Sequence, residues 1–159
     1  MPRSNEFPHR PIPAVGAIVF RGEAVLLVKR GEEPNKGRWS VPGGVVEVGE
    51  TVEAAVVRET SEETQVDVRP NQLLEVREFI EFDKAAVRWH YVLIDVLCEY
   101  LRGEPVAGSD AGRARFIPLR ELSEYDVTPT ALDLLQEAST TRAPPSKAPR
   151  ARSGREGTS

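Results

Sequence analysis

Residues 43–66, GGVVEVGETVEAAVVRETSEETQV, limit what this chain can fold into more than any other stretch. A glycine pair is followed by residues 52–64, which neither proline nor glycine interrupts, so a helix of three to four turns is predicted there. Thr51 is placed to cap it, its hydroxyl accepting from an early N–H, and Glu53 suits the positive end of the helix dipole. On that helix Glu59, Glu62 and Glu63 stand at i, i+3 and i+4 and share a face. Like charges at i,i+4 cost roughly 0.2–0.5 kcal/mol per pair. Taken alone, three glutamates read most simply as a solvated acidic face with Arg58 as a helical partner for Glu62. Such a face has no need of Gly43 and Gly44, which let backbone approach a ligand or supply a turn. With Glu50 and Arg58 added, the pattern points to a hard divalent cation, which takes carboxylate oxygens, water and substrate phosphates.

The order Gly44, Glu50, Arg58, Glu59, Glu62, Glu63, closed by the aliphatic Val66, resembles the Nudix box of the Nudix hydrolase family. Thr60 departs from an aliphatic preference, and Gln65 stands where the box has its second glycine. A left-handed backbone at Gln65 would cost about 1–2 kcal/mol.

The resemblance implies an α+β chain with the Nudix fold, an α/β/α sandwich around a mixed β-sheet. It also implies hydrolysis of a nucleoside diphosphate linked to another group. Glu59, Glu62 and Glu63 would be metal ligands together with the Gly43 carbonyl, with Glu59 or Glu62 as the catalytic carboxylate. Glu50 and Arg58 would support those ligands from behind. The cofactor implied is Mg²⁺, with Mn²⁺ as the alternative. Gly44, Trp39, Arg38 and Asp110 are the candidates for substrate contact. Trp39 fits a base or the core equally well, Arg38 fits a surface role better, and Asp110 fits an exposed loop at least as well. ADP-ribose or another nucleotide sugar is the favoured substrate. The alternative is a MutT-like pyrophosphohydrolase of (deoxy)nucleoside triphosphates. A non-catalytic nucleotide-binding Nudix module is a third reading, and retention of every box glutamate weighs against it.

The rest of the chain sets bounds. Its 159 residues, 40% apolar and 29% charged, suit one soluble domain. No apolar run is long enough for a membrane span; residues 92–98, VLIDVLC, are interrupted by Asp95. The N-terminal residues lack the apolar core of a secretory signal, and the single Cys98 excludes an internal disulfide. Cytoplasmic location is therefore expected, with Cys98 a buried, inert thiol. Of the net charge of −4, residues 142–159 contribute +4 (Arg142, Lys147, Arg150, Arg152 and Arg155 against Glu156), leaving −8 on the body. An acidic body argues against stable nucleic-acid binding. The expected partner is a small nucleotide. A homodimer is compatible with the family, although no apolar stripe demands one.

Residues 1–12 read as a flexible arm, 13–140 as the Nudix domain and 141–159 as a disordered basic tail. Strands are expected over 13–20 and 24–30 as a hairpin, at 45–46, over 73–82, 87–101 and 113–117. A short helix is expected from Pro118, and a last helix after Thr128 with Ala131, Leu134, Leu135 and Ala138 on one face. Alternation along 73–82 places Glu75, Arg77, Phe79 and Glu81 toward solvent and Glu78, with Val76, Ile80 and Phe82, on the inner face. On that count Glu78 is a minor candidate for a site role. Arg30, Arg88 and His90 fit surface or packing roles better than catalytic ones.

Overall fold

The structure, a computed structural model, describes residues 4–107 and 111–142. Strand β1 (Ile12–Arg21) turns at Gly22, whose φ of +59° suits glycine, into β2 (Ala24–Arg30). Short strands β3 (Trp39–Ser40) and β4 (Gly43–Val45) lead to helix α1 (Val52–Thr64). The long hairpin β5 (Asp67–Asp83) and β6 (Ala86–Arg102) follows, then β7 (Ala111–Pro118), a 3₁₀ turn (Leu119–Glu124) and helix α2 (Pro129–Thr141).

The sheet runs β3-β2-β1-β6-β5, with β4 on β1 and β7 on β2. It is mixed: β1 and β6 run parallel over nine pairs, from Ile12↔Tyr91 to Phe20↔Glu99, and the other pairings are antiparallel. β1 meets β2 only at Phe20↔Val25 and Arg21↔Ala24. Earlier along β1 the same edge pairs with β4, at Ala14↔Val45, Val15↔Gly44 and Gly16↔Gly43. β1 and β2 therefore part company toward the start of β1, and a cleft opens between them.

Each helix covers one face. α1 buries Ala55 and Val56 against Val15, Ala17, Val19, Leu26, Val96 and Cys98. α2 buries Ala131, Leu134, Leu135 and Ala138 against Ile18, Leu27, Leu97 and Ile117. Each large aliphatic side chain so buried contributes about 1.5–3 kcal/mol. The expected sandwich is thus formed, and Thr128 caps α2 by accepting from Ala131 N at 3.3 Å. Cys98 is buried, and desolvation pushes its thiol up to about 12, as an inert thiol requires. Among the described residues no helix is long and apolar enough to cross a membrane.

The short helix expected from Pro118 forms as a 3₁₀ helix over Leu119–Glu124, with Pro118, the last residue of β7, at its N-cap rather than its first position. One local expectation needs correction: the faces of β5 are reversed. Glu75, Arg77 and Phe79 face α2, with Arg77 donating to the Thr130 carbonyl at 3.0 Å. Glu78 points the other way and is exposed, as are Val76 (53%), Ile80 (47%) and Phe82 (64%). The β5–β6 hairpin carries this face past the cover of α1, while a buried acid on β6 draws Arg77 inward. Apolarity alone therefore sorts these residues wrongly.

The N-terminal segment lies along β6. Phe7 N donates to the Arg88 carbonyl at 2.8 Å, and Arg88 Nε bonds Glu6 Oε1 at 2.9 Å. The basic residues from 147 onward lie outside the described residues.

Candidate active site

Capping sets the phase of α1. Thr51 is extended (φ −75°, ψ 159°) and its Oγ1 accepts from Ala54 N at 3.1 Å. Ala55 and Val56 then point into the core, and the next turn carries Arg58 and Glu59 over β4. The Glu59 carboxylate fills the space that a Cβ at Gly44 would need. At Gly43 a Cβ would run into the Val15 carbonyl. Glycine at both positions is therefore required by close approach. One turn further on, Glu63 Oε1 accepts from Gly43 N at 3.3 Å. The Glu59 and Glu63 carboxylates thus meet the same short strand.

Arg58 ties the helix to the loop before it. It forks onto Glu50 (Nε to Oε2 2.6 Å, Nη2 to Oε1 2.8 Å) and reaches Glu59 Oε1 at 2.8 Å. It also donates to Glu62 Oε2 at 3.2 Å and to the Val45 carbonyl at 3.1 Å. These bonds to Arg58 hold the Glu50 carboxyl down at about 2. Burial pushes Glu59 above the usual carboxylate value against the pull of Arg58, with Glu62 and Glu50 adding to the rise. Of the three glutamates hydrogen-bonded to Arg58, Glu62 is the most open, at 61% exposure against 15% for Glu59 and 13% for Glu50.

From this corner a cleft of about 830 Å³ runs along the α2 face of the sheet. Gly43, Gly44, Glu59 and Glu63 line one end. Ala14 and Gly16 form the floor. Leu93, Asp95, Arg77, Phe79, Tyr91 and Trp89 continue the wall, and Ser4, Asn5 and the loop 31–35 form the rim. Asp95 is 3% exposed. It fits because Gly16 has no Cβ: one there would lie 2.5 Å from Asp95 Oδ1. Its Oδ2 takes a bond from Arg77 Nε at 3.2 Å.

The donor set at the box suits a hard divalent cation. Among the described residues no three His, Cys, Asp or Glu side chains already converge as a cage. Two carboxylates, Glu59 and Glu63, against the glycine strand β4 suit the way Mg²⁺ is held, by one or two carboxylates with water and phosphate oxygens.

The other candidates are placed as follows. Gly44 lies on the cleft. Trp39 is 6% exposed and packs in the core, its ring edge-on to Tyr125 at 5.3 Å. Arg38 pairs with Asp126 at 3.2 Å and the Val127 carbonyl at 3.4 Å. Asp110 lies outside the described residues. Glu50 and Arg58 stand behind the carboxylates as described. Arg30 borders the cleft, and Arg88 is held by Glu6. Sequence reasoning missed Asp95, Arg77, Phe79 and Tyr91 as cleft residues. The available signal was Asp95 itself, a lone acid inside the apolar run 92–98.

The NUDIX domain family model matches residues 10–138. The chain belongs to the Nudix family. An ADP-ribose pyrophosphatase of Methanocaldococcus jannaschii is 41% identical over 112 residues, covering 70% of this chain and 64% of that protein. A Bacillus subtilis protein provisionally named an ADP-ribose pyrophosphatase is 33% identical over 128 residues, 79% of this chain and 60% of that one. The chain thus spans under two thirds of the length of these two relatives. Among solved structures, a MutT NUDIX hydrolase from Burkholderia pseudomallei superposes with a TM-score of 0.71 at 29% identity, over 81% of this chain and 98% of that one. Nudix hydrolases generally use divalent metals, and helix α1 with its carboxylates lies within the matched residues.

Proposed function

We propose that this Nudix domain is a Mg²⁺-dependent hydrolase of the diphosphate linkage in a nucleoside diphosphate derivative, with ADP-ribose the favoured substrate. One observation carries the reading: Glu59 and Glu63 are brought against Gly43 and Gly44 at the end of a cleft about 830 Å³ in volume. That volume suits a nucleotide-sized ligand. The name of the Methanocaldococcus relative supports the choice of ADP-ribose.

Glu59, Glu62, Glu63 and the Gly43 carbonyl would hold the ion. A bound divalent cation supplies charge neutralisation at the diphosphate and lowers the pKa of a coordinated water. The chain's own residues do the rest. Arg58 keeps Glu50 and Glu59 in place through its fork. A carboxylate of α1, Glu62 or Glu59, takes the proton from the attacking water. The sheet floor at Ala14 and Gly16 leaves space for the diphosphate.

The test is turnover of a panel with Mg²⁺: ADP-ribose, other nucleotide sugars, dinucleoside polyphosphates, and ordinary and oxidised nucleoside triphosphates, with products resolved by chromatography. ADP-ribose should give AMP and ribose 5-phosphate. Glu63→Gln should lower kcat by about 10²-fold or more, the scale of losing a catalytic electrostatic group. Pyrophosphate release from triphosphates alone would replace this reading with the MutT-like one. No turnover of any member would move it to a binding module.

A further inference from the structure

Beyond the box, the cleft has a far end whose chemistry differs. Gly43 and Asp95 both pair with Gly16, so they lie at one level along β1. Tyr91 pairs with Ile12, four residues earlier. At about 3.3 Å per residue, the Tyr91 level is roughly 13 Å along the strands from the box. That is the span of a nucleotide, more than a phosphate needs.

At the Tyr91 level the wall is aromatic. Phe79 on β5 is the register partner of Tyr91 on β6, so their rings are neighbours on the α2 face. Trp89 stacks behind Tyr91, centroids 6.3 Å apart and planes within 15°. Trp89 is 5% exposed, while Tyr91 and Phe79 keep part of their surface open to the cleft. Asn5 stands on the cleft's rim beside Tyr91. A flat apolar wall with a polar rim is what a planar heterocycle needs, and stacking accepts any base.

Resting on the reading of the cleft as a nucleotide site, we infer that Phe79 and Tyr91 form the platform on which the nucleobase stacks, with Trp89 holding the Tyr91 ring in its plane. The substrate then lies with its diphosphate at Gly43 and Gly44 and its base at the β5–β6 hairpin.

The experiment compares Tyr91→Ala, Phe79→Ala and Tyr91→Phe with the wild type, on ADP-ribose and on 5-phosphoribosyl 1-diphosphate, which has no base. Losing one stacking partner should raise KM for ADP-ribose on the order of 10- to 100-fold in either alanine variant. Turnover number should stay within about threefold, the pattern of lost uniform binding. Cleavage of the base-free diphosphate should not change, and Tyr91→Phe should behave as wild type. Unchanged KM for ADP-ribose in both alanine variants, or equal losses on both substrates, would overturn the inference. Should Tyr91→Ala fail to fold, Phe79→Ala on the edge strand decides alone. Should the wild type cleave neither compound, the proposed activity fails separately, and calorimetric binding of AMP against ribose 5-phosphate judges the platform. AMP binding weakened by Phe79→Ala supports it; AMP binding absent, or equal in variant and wild type, overturns it.

Discussion

Gln65 closes α1 with φ +61° and ψ 22°, a left-handed residue whose N–H bonds the Ser61 carbonyl at 2.8 Å. A side chain there costs about 1–2 kcal/mol. Glycine would remove that strain and return about 0.5–1 kcal/mol to the unfolded chain. Gln65→Gly should therefore stabilise by about 0.5–1 kcal/mol, raising Tm by roughly 1–4 °C for a chain of this size. A thermal melt in which the variant unfolds no higher than wild type would refute this. The other departure from the box shows the opposite outcome. Thr60 is fully buried, yet its Oγ1 donates to the Val56 carbonyl at 2.7 Å, and Thr64 repeats the device onto Thr60. A hydroxyl satisfied within its own helix can occupy an aliphatic position. Asp95 was less legible. A lone acid in an apolar run has no visible partner until β5 is laid beside it, because Arg77 is 18 positions away in sequence.

Among the elements, α1 was legible to its ends because everything that defines it is local: a capping threonine, an unbroken helical run and a left-handed stop. The shared face of Glu59, Glu62 and Glu63 was legible for the same reason, since i, i+3 and i+4 positions meet in any α-helix. β5 was not. Its register shifts at Pro70/Gln72, Leu73/Glu75 and Glu81/Phe82, and each bulge resets which residues face inward. Between Glu75 and Glu81 the register is unbroken and the alternation holds, but which face turns inward did not follow from apolarity, because the reach of α1 over the sheet is a tertiary fact. The clamp on α1 gives a sharper test. Lysine keeps the charge of Arg58 but has no planar fork for Glu50. Arg58→Lys should lower kcat for the proposed hydrolysis about 10- to 100-fold, the scale for residues that orient metal ligands. KM should change little. Steady-state kinetics showing full kcat in this variant would mean the fork does not matter to catalysis.

At the scale of the whole molecule, two carboxylates oppose each other in their effect on stability with pH. Burial raises Asp95 to about 6; Arg77 opposes the shift, and Glu75 on β5 and Glu137 on α2 add to it. A carboxyl raised in the folded state favours the fold most when protonated. That contribution is complete below the unfolded value near 3.8 and is lost as pH rises through about 6. At about 1.4 kcal/mol per unit, the change is on the order of 3 kcal/mol. Glu50, held low by Arg58, acts the other way: its contribution is present above about 4.5 and disappears as pH falls toward 2. The upper part of the window between pH 4 and 6 therefore belongs to Asp95 together with Glu59, whose carboxyl burial also raises, and a substitution at Asp95 isolates its own share. Urea unfolding of Asp95→Asn should gain on wild type as pH rises through that window. Parallel stability curves for the two proteins would sink the assignment.

The segment that begins at Ser4 has a practical meaning. Ser4 and Asn5 form part of the cleft's rim, and Glu6 and Phe7 are fastened to Arg88. A purification tag or carrier protein joined ahead of Met1 would be attached a few residues from the cleft's mouth. Its length and charge would become variables of any affinity measured, and its removal part of the assay's preparation.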